Sequence, residues 1–182
     1  MASFTERMIG AAKLDVNTYE EVEADQGALG QAMGVVVLSS VAAGLGAIRT
    51  GGVGGLIGLT LTALLGWFIW AALTYVIGTK LLPEPQTKSD IGELLRTIGF
   101  ASSPGILRVL GVIPAIGPVI SFAVSIWMLA AMVIAVRQAL DYQSTGRAVG
   151  VCLIGFVVYL LIVMVVAMFF GLAGVMAGAA AS

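Results

Sequence analysis

Arg108 is the one charged residue in an otherwise apolar and irregular stretch, Gly99–Pro118. An arginine at membrane depth is costly, and such residues mark sites that pair with an anion. Its planar fork of donors suits a carboxylate or a phosphate. One reading is that Arg108 holds an anionic lipid head group or substrate. A second is an ion pair with Asp141, should the fold bring the two together. The plainest is snorkelling, since about six residues of helix, ~9 Å, separate it from the outer turn.

A second group is the acidic cluster Glu20, Glu21, Glu23 and Asp25. Thr18 followed three residues later by Glu21 predicts a capping box and a helix start. Glu21 and Asp25, four apart, share a helical face and have the chemistry to hold a divalent cation with water. The preferred reading is a solvated acidic turn that feeds the first span.

Other chemistry is excluded by what the chain does not contain. There is no histidine, so imidazole catalysis and histidine ligation are ruled out. The single Cys152 lies in an apolar run and reads as a small buried hydrophobe. Ser39, Ser40, Ser121 and Ser125 have no base to activate them. No phosphate-binding or dinucleotide motif appears, so no cofactor is expected, and neither is a metal. A net charge of −1 without a basic stretch gives no footing for nucleic acid.

The elements that position these residues are membrane spans. The chain is 59% hydrophobic and 10% charged, against roughly 45–50% and 25% in soluble domains. Four charge-free runs, Gln26–Ile48, Thr50–Thr79, Val109–Val136 and Ala148–Ser182, each exceed the ~20 residues that cross a bilayer core. Before them, Ser3–Leu14 places Phe4 and Met8 on one face, with Glu6, Arg7 and Lys13 elsewhere, as in a helix lying on the membrane surface. The spans are expected at about Gly30–Ile48, Leu56–Leu82, a third through Leu95–Ile113, Pro118–Leu140 and Ala148–Phe170. Pro83 and Pro85 end the second.

Asp90 caps an amphipathic helix before the third span, with Ile91, Leu94, Leu95 and Ile98 on one face and Arg96 opposing them. Beyond it, Pro104 and Gly105 break the helix, and Pro114, Gly117 and Pro118 make a turn. Broken backbone at membrane depth must be covered by protein or line a cavity.

The fold class is therefore all-α: an integral membrane bundle of five transmembrane helices, with an N-terminal interfacial segment. The expected organisation is an N-terminal cytoplasmic segment over 1–25, a membrane domain over 26–176 and a short tail over 177–182. With five spans, Arg7, Lys13, Lys80, Lys88, Arg96, Arg137 and Arg147 lie inside, and Arg49 and Arg108 outside. This sets the N-terminus in the cytoplasm and the C-terminus outside. If Leu95–Ile113 only dips into the bilayer there are four spans, and the bias is weaker. Glycine pairs four apart, among them Gly30/Gly34, Gly54/Gly58 and Gly146/Gly150, favour close helix packing within the monomer or between copies. Thr60, Trp67 and Thr74 line one face of the second span, and Ser121 and Ser125 one face of the fourth. Both sets read as interhelical hydrogen-bonding groups.

Several of these segments carry a resemblance. Thr18-Tyr-Glu-Glu-Val-Glu-Ala-Asp25, the stretch Gly99–Pro114, Trp127, and Val136–Leu140 followed by Gly146–Ala148 resemble bacterial members of the Yip (Ypt-interacting protein) domain family over about Leu14–Phe170. The resemblance implies a five-span protein of the cytoplasmic (inner) membrane with a cytosolic N-terminus. In eukaryotes the family is associated with Rab-type GTPases, vesicle formation and membrane shaping. The Tyr-Gly-Pro-type motif of those proteins is missing here, and no catalytic residues come with the likeness. The expected function is non-enzymatic: an organiser, assembly factor or complex subunit acting through membrane lipids, a homo-oligomer or a membrane-protein partner. The alternative is a small oligomeric transporter or channel for a small solute or anion, with Arg108 selecting it.

Overall fold

In a computed structural model, residues 2–45, 48–113 and 116–180 are described, and the side chains of 48–51 and 170–180 are left aside. The chain is helical with no strand among the described residues. Its order is α1 (Phe4–Ala12), α2 (Val16–Ala24), α3 (Leu29–Gly44), α4 (Ile48–Val76, extended by a π turn over Ile77–Leu81), α5 (Ile91–Phe100), a 3-10 helix (Ser103–Val112), α6 (Gly117–Ala139) and α7 (Thr145–Ala180).

Local chemistry sets most of these boundaries. Ser3 and Glu6 form a capping box at α1, and Asp90 and Glu93 form another at α5, each satisfying orphan N–H groups at the helix start. The start of α2 differs from the expectation. Asp15, not Thr18, caps it, its carboxylate accepting from the Asn17 N–H. Thr18 donates its hydroxyl to the same carboxylate at 2.7 Å. A carboxylate three residues earlier outcompetes the threonine, and Glu21 is left to bond elsewhere.

Among the described residues, four helices are long and apolar enough to cross a membrane: Gln26–Gly44, Gly52–Leu81, Gly117–Ala139 and Thr145–Phe169. The third of the five expected spans has no single helix. Its place is taken by α5 and the 3-10 helix, ten residues each, and about 1.5 and 2.0 Å of rise per residue leave each short of a ~30 Å core. Pro104 stands in the first turn of the 3-10 helix, where its missing N–H costs nothing. The chain then reverses: the Gly117 N–H donates to the Ile113 carbonyl at 3.0 Å. α6 runs back beside the 3-10 helix, with Gly117 seated directly on the Gly111 backbone.

Burial divides the molecule. One core joins Ala11, Tyr19 and Val22 of the N-terminal helices to Ala32, Phe100 and Ala131. Another joins Ala71, Leu94, Val136, Leu140 and Val151. Away from these, α4 and α7 expose long apolar faces, such as Leu65 and Phe68, and Leu153 and Phe156, as lipid-facing helices do. α5 is not a half-solvated amphipathic helix: from Leu94 to Phe100 every residue is buried, Arg96 included.

The glycine pairs make few helix contacts within the monomer: a Cβ at Gly34 would meet Phe4 and one at Gly150 would meet Leu82, each at 3.8 Å. A Cβ at Gly30, Gly54 or Gly58 would meet nothing within 4 Å. The close approaches lie elsewhere, at Gly99 on Ala32 and at Gly105 between Ser39 and Met128.

Candidate functional site

Two cavities gather the residues that the sequence singles out. The first lies among α3, α4, α5, α6 and the 3-10 helix and has a volume of about 440 Å³. Its walls are mostly apolar, from Val36 and Ala43 on α3, Leu59 and Ala63 on α4, and Met128 and Met132 on α6. The rings of Trp67 and Trp70 line one side. Their indole N–H groups are used: Trp67 donates to the Leu95 carbonyl at 3.0 Å and Trp70 to the Met132 sulfur at 3.2 Å. Ser39, Ser40 and Ser102 supply hydroxyls, and Ser40 also meets Thr60 at 3.4 Å.

Arg108 is the single charged side chain of this lining. Its Nη2 donates to the Ser125 hydroxyl at 3.1 Å, and Ser125 in turn donates to the Ser121 carbonyl. Among the described residues no carboxylate lies within 4.0 Å of its guanidinium. The alternative of an ion pair with Asp141 is not realised among the described residues. Ser125 lies on α6 and Asp141 two residues beyond its end at Ala139, so the fourteen residues from Ser125 to Ala139, about 21 Å at 1.5 Å per residue, hold them apart. One Ser125 contact leaves most of the five N–H donors of Arg108 available to an anion.

Pro104 and Gly105 are buried beneath this cavity. Gly105 is required there, because a Cβ would collide with the Ser39 hydroxyl. Gly117 and Pro118 begin α6, and Pro114 falls outside the described residues.

The second cavity is polar and measures about 800 Å³, between α2, α5, the end of α6 and the 84–86 loop. Glu20, Glu23, Glu93 and Asp141 face it together with Arg137. Asp141 sits here in a left-handed conformation, φ 53°, as the helix turns out of α6. Burial, with the like charges of Asp141, Glu93 and Glu20, pushes the Glu23 carboxyl up to about 8.

The acidic cluster is therefore split. Glu21 and Asp25 turn away to Arg7, whose Nη2 meets them at 2.9 and 2.7 Å. Gln31 accepts from the same guanidinium at 3.1 Å. The Ala2 N–H and Arg7 hold the Glu21 carboxyl below its usual range, and Arg7 does the same for Asp25. The cation that Glu21 and Asp25 share is this arginine, and among the described residues no group of acidic, cysteine or histidine side chains is arranged for a metal.

Sequence reasoning missed Arg7 and Arg96. Arg7 is 1% exposed although it was placed off the apolar face of α1. Arg96 does not oppose a buried face but reaches out of α5 to the last turn of α2, its Nε donating to the carbonyls of Val22 and Glu23 at 3.0 Å each. The available signal was the run of three acidic residues and Asp25, more negative charge than one helix end retains without a cation.

The family model described as the Yip1 domain matches residues 16–167. No curated protein and no solved structure matches the chain.

Proposed function

The chain belongs to the Yip1 domain family, and on that footing we propose that it is a non-enzymatic multi-pass membrane protein that acts by binding an anionic membrane lipid at Arg108. The observation that carries this reading is the missing counter-charge. Arg108 lines a 440 Å³ cavity with apolar walls, and among the described residues its guanidinium meets the Ser125 hydroxyl and no carboxylate. A lone guanidinium at membrane depth is stabilised by a phosphate or carboxylate that accepts two of its N–H groups.

In this reading α5 and the 3-10 helix together make one broken crossing, giving five in all, with α1 and α2 on the cytoplasmic face of the inner membrane and the C-terminus outside. It is supported by where four of the other arginines go. Arg7, Arg96, Arg137 and Arg147 all engage α2 or the 83–84 and 142–143 loops at one end of the bundle, as a positive-inside bias requires. The bound lipid links the chain to its role as an organiser or subunit, in a homo-oligomer or with a membrane-protein partner.

Native mass spectrometry from nanodiscs containing phosphatidylglycerol tests it. Wild type retains the lipid, and Arg108→Gln loses it by about 10–100-fold, the equivalent of a ~1.5–3 kcal/mol charged hydrogen bond. Equal retention by the two removes Arg108 from the function. The broken 3-10 helix along the cavity also favours a second reading, an oligomeric anion transporter. That reading requires anion flux in reconstituted vesicles that Arg108→Gln abolishes.

A further inference from the structure

Arg108 borders two cavities, not one. Besides the inner chamber, a second of about 310 Å³ lies on the other side of its side chain, bounded by Ser125, Leu129 and Ala101. Trp70, Arg108, Met128 and Met132 line both. Leu129 is 62% exposed, so the outer chamber reaches the lipid-facing surface.

Its walls come mostly from α6, with Arg108 of the 3-10 helix, Ala101 and, on α4, Trp70. α4 packs chiefly on α3, α5 and α7, and α6 on the 3-10 helix, α5, α7 and α2. At this boundary the Trp70 indole N–H of α4 donates to the Met132 sulfur of α6. Trp70 is steadied from behind by an edge-on contact with Tyr159, ring centres 6.2 Å apart. Methionine is an adaptable partner for such a contact, since its unbranched chain changes rotamer readily.

Resting on the lipid-binding reading of Arg108, we propose that the lipid enters sideways between α4 and α6, past the Trp70–Met132 contact, and lays one acyl chain in the inner chamber under Trp67 and Trp70. Its anionic head group stays on Arg108, and its other chain stays in the bilayer. Both chambers are apolar apart from Arg108 and a few hydroxyls, and the outer one opens to hydrocarbon. This suits a lipid rather than a free anion arriving from water. The inner volume lies in the lower half of the ~300–1,000 Å³ range of small-molecule sites, room for a chain but not for a whole two-chain lipid.

Tryptophan quenching by lipids brominated along the acyl chain reads this directly on the wild-type protein. In nanodiscs of fixed composition, bromine is carried either by phosphatidylglycerol or, at the same mole fraction, by phosphatidylcholine. A site preference of about tenfold for the anionic lipid, 1.4 kcal/mol, makes brominated phosphatidylglycerol the stronger quencher. Trp70→Phe reduces the excess. Ala63→Phe, which fills the inner chamber, abolishes it while leaving the helical content by circular dichroism unchanged. If mass spectrometry finds phosphatidylglycerol retained by wild type and lost in Arg108→Gln, yet no excess quenching occurs, the chamber proposal is overturned and the head-group reading stands. If wild type retains no anionic lipid at all, both fall. An unfolded Ala63→Phe chain leaves the decision to the wild-type quenching comparison.

Discussion

The guanidinium of Arg96 donates to the main-chain carbonyl of Glu23, a residue 73 positions away, with its Nε 3.0 Å from the oxygen. A cation set on the open carbonyls of a helix end satisfies orphan acceptors and complements the helix dipole. This contact fastens α2 to α5, while α1 is held to the bundle by the Trp127 indole on the Ala12 carbonyl and by Arg7 on Gln31.

Replacing Arg96 by Leu removes a charged donor from buried carbonyls, a loss of about 1.5–3 kcal/mol. Amides of α2 then exchange about 10–100-fold faster in hydrogen–deuterium exchange, while those of α6 are unchanged. Unaltered exchange in α2 shows that the clamp is not what holds the helix down.

Arg7→Met strips the counter-charge from Glu21 and Asp25. The two carboxylates left behind reach solvent, at 35% and 20% exposure, so the loss is screened and smaller than for a fully buried pair, and Tm falls measurably below that of wild type. Both carboxyls are held below their ordinary values of 4.5 and 3.8. Their contribution is thus present above those values and is lost as pH falls through the lower folded ones. Wild type loses stability on acidification below about pH 4, and the variant shows a flatter acid limb.

Glu23 titrates the other way. Its folded value, about 8, lies above the ordinary 4.5, so its favourable contribution is complete below pH 4.5 and disappears as pH rises through 8. Docking of α2 weakens over that interval because a charged Glu23 faces Glu20, Glu93 and Asp141. Glu23→Gln removes the slope, and its Tm exceeds that of wild type at pH 9. Parallel Tm–pH curves for the two chains would falsify the assignment.

Two glycines separate packing from composition. At Gly99 a Cβ would stand 2.7 Å from the Cβ of Ala32 and 3.1 Å from its carbonyl oxygen, so Gly99→Ala costs about 1–3 kcal/mol through overpacking. At Gly58 nothing lies within 4 Å, and Gly58→Ala leaves the monomer at least as stable. Thermal melts in detergent distinguish the two, and an oligomer lost only in Gly58→Ala assigns that face to contacts between copies.

The membrane character of the chain, its long apolar helices and the Asp90 cap are legible in the sequence. Each rests on local rules, namely the length of an apolar run or a capping residue. The family match over 16–167 agrees with motifs read from residues alone. Partnerships were not legible. Arg7 and Arg96 look like solvated charges on short helices, because helical periodicity places a side chain on a face without saying what covers that face.

Tertiary structure decided the rest. It sent Glu21 and Asp25 to Arg7, gathered Glu20 and Glu23 with Glu93 and Asp141 around one cavity, and kept Arg108 from Asp141 by the length of α6. Burial, charge and distance act through space between residues up to 118 positions apart, as Glu20 and Gln138 are. The sequence by itself determined that the chain enters a membrane and where the helix capped by Asp90 starts, because those depend on neighbours along the chain. Only the packing of one helix on another determined which charges are neutralised, and that among the described residues Arg108 meets no carboxylate.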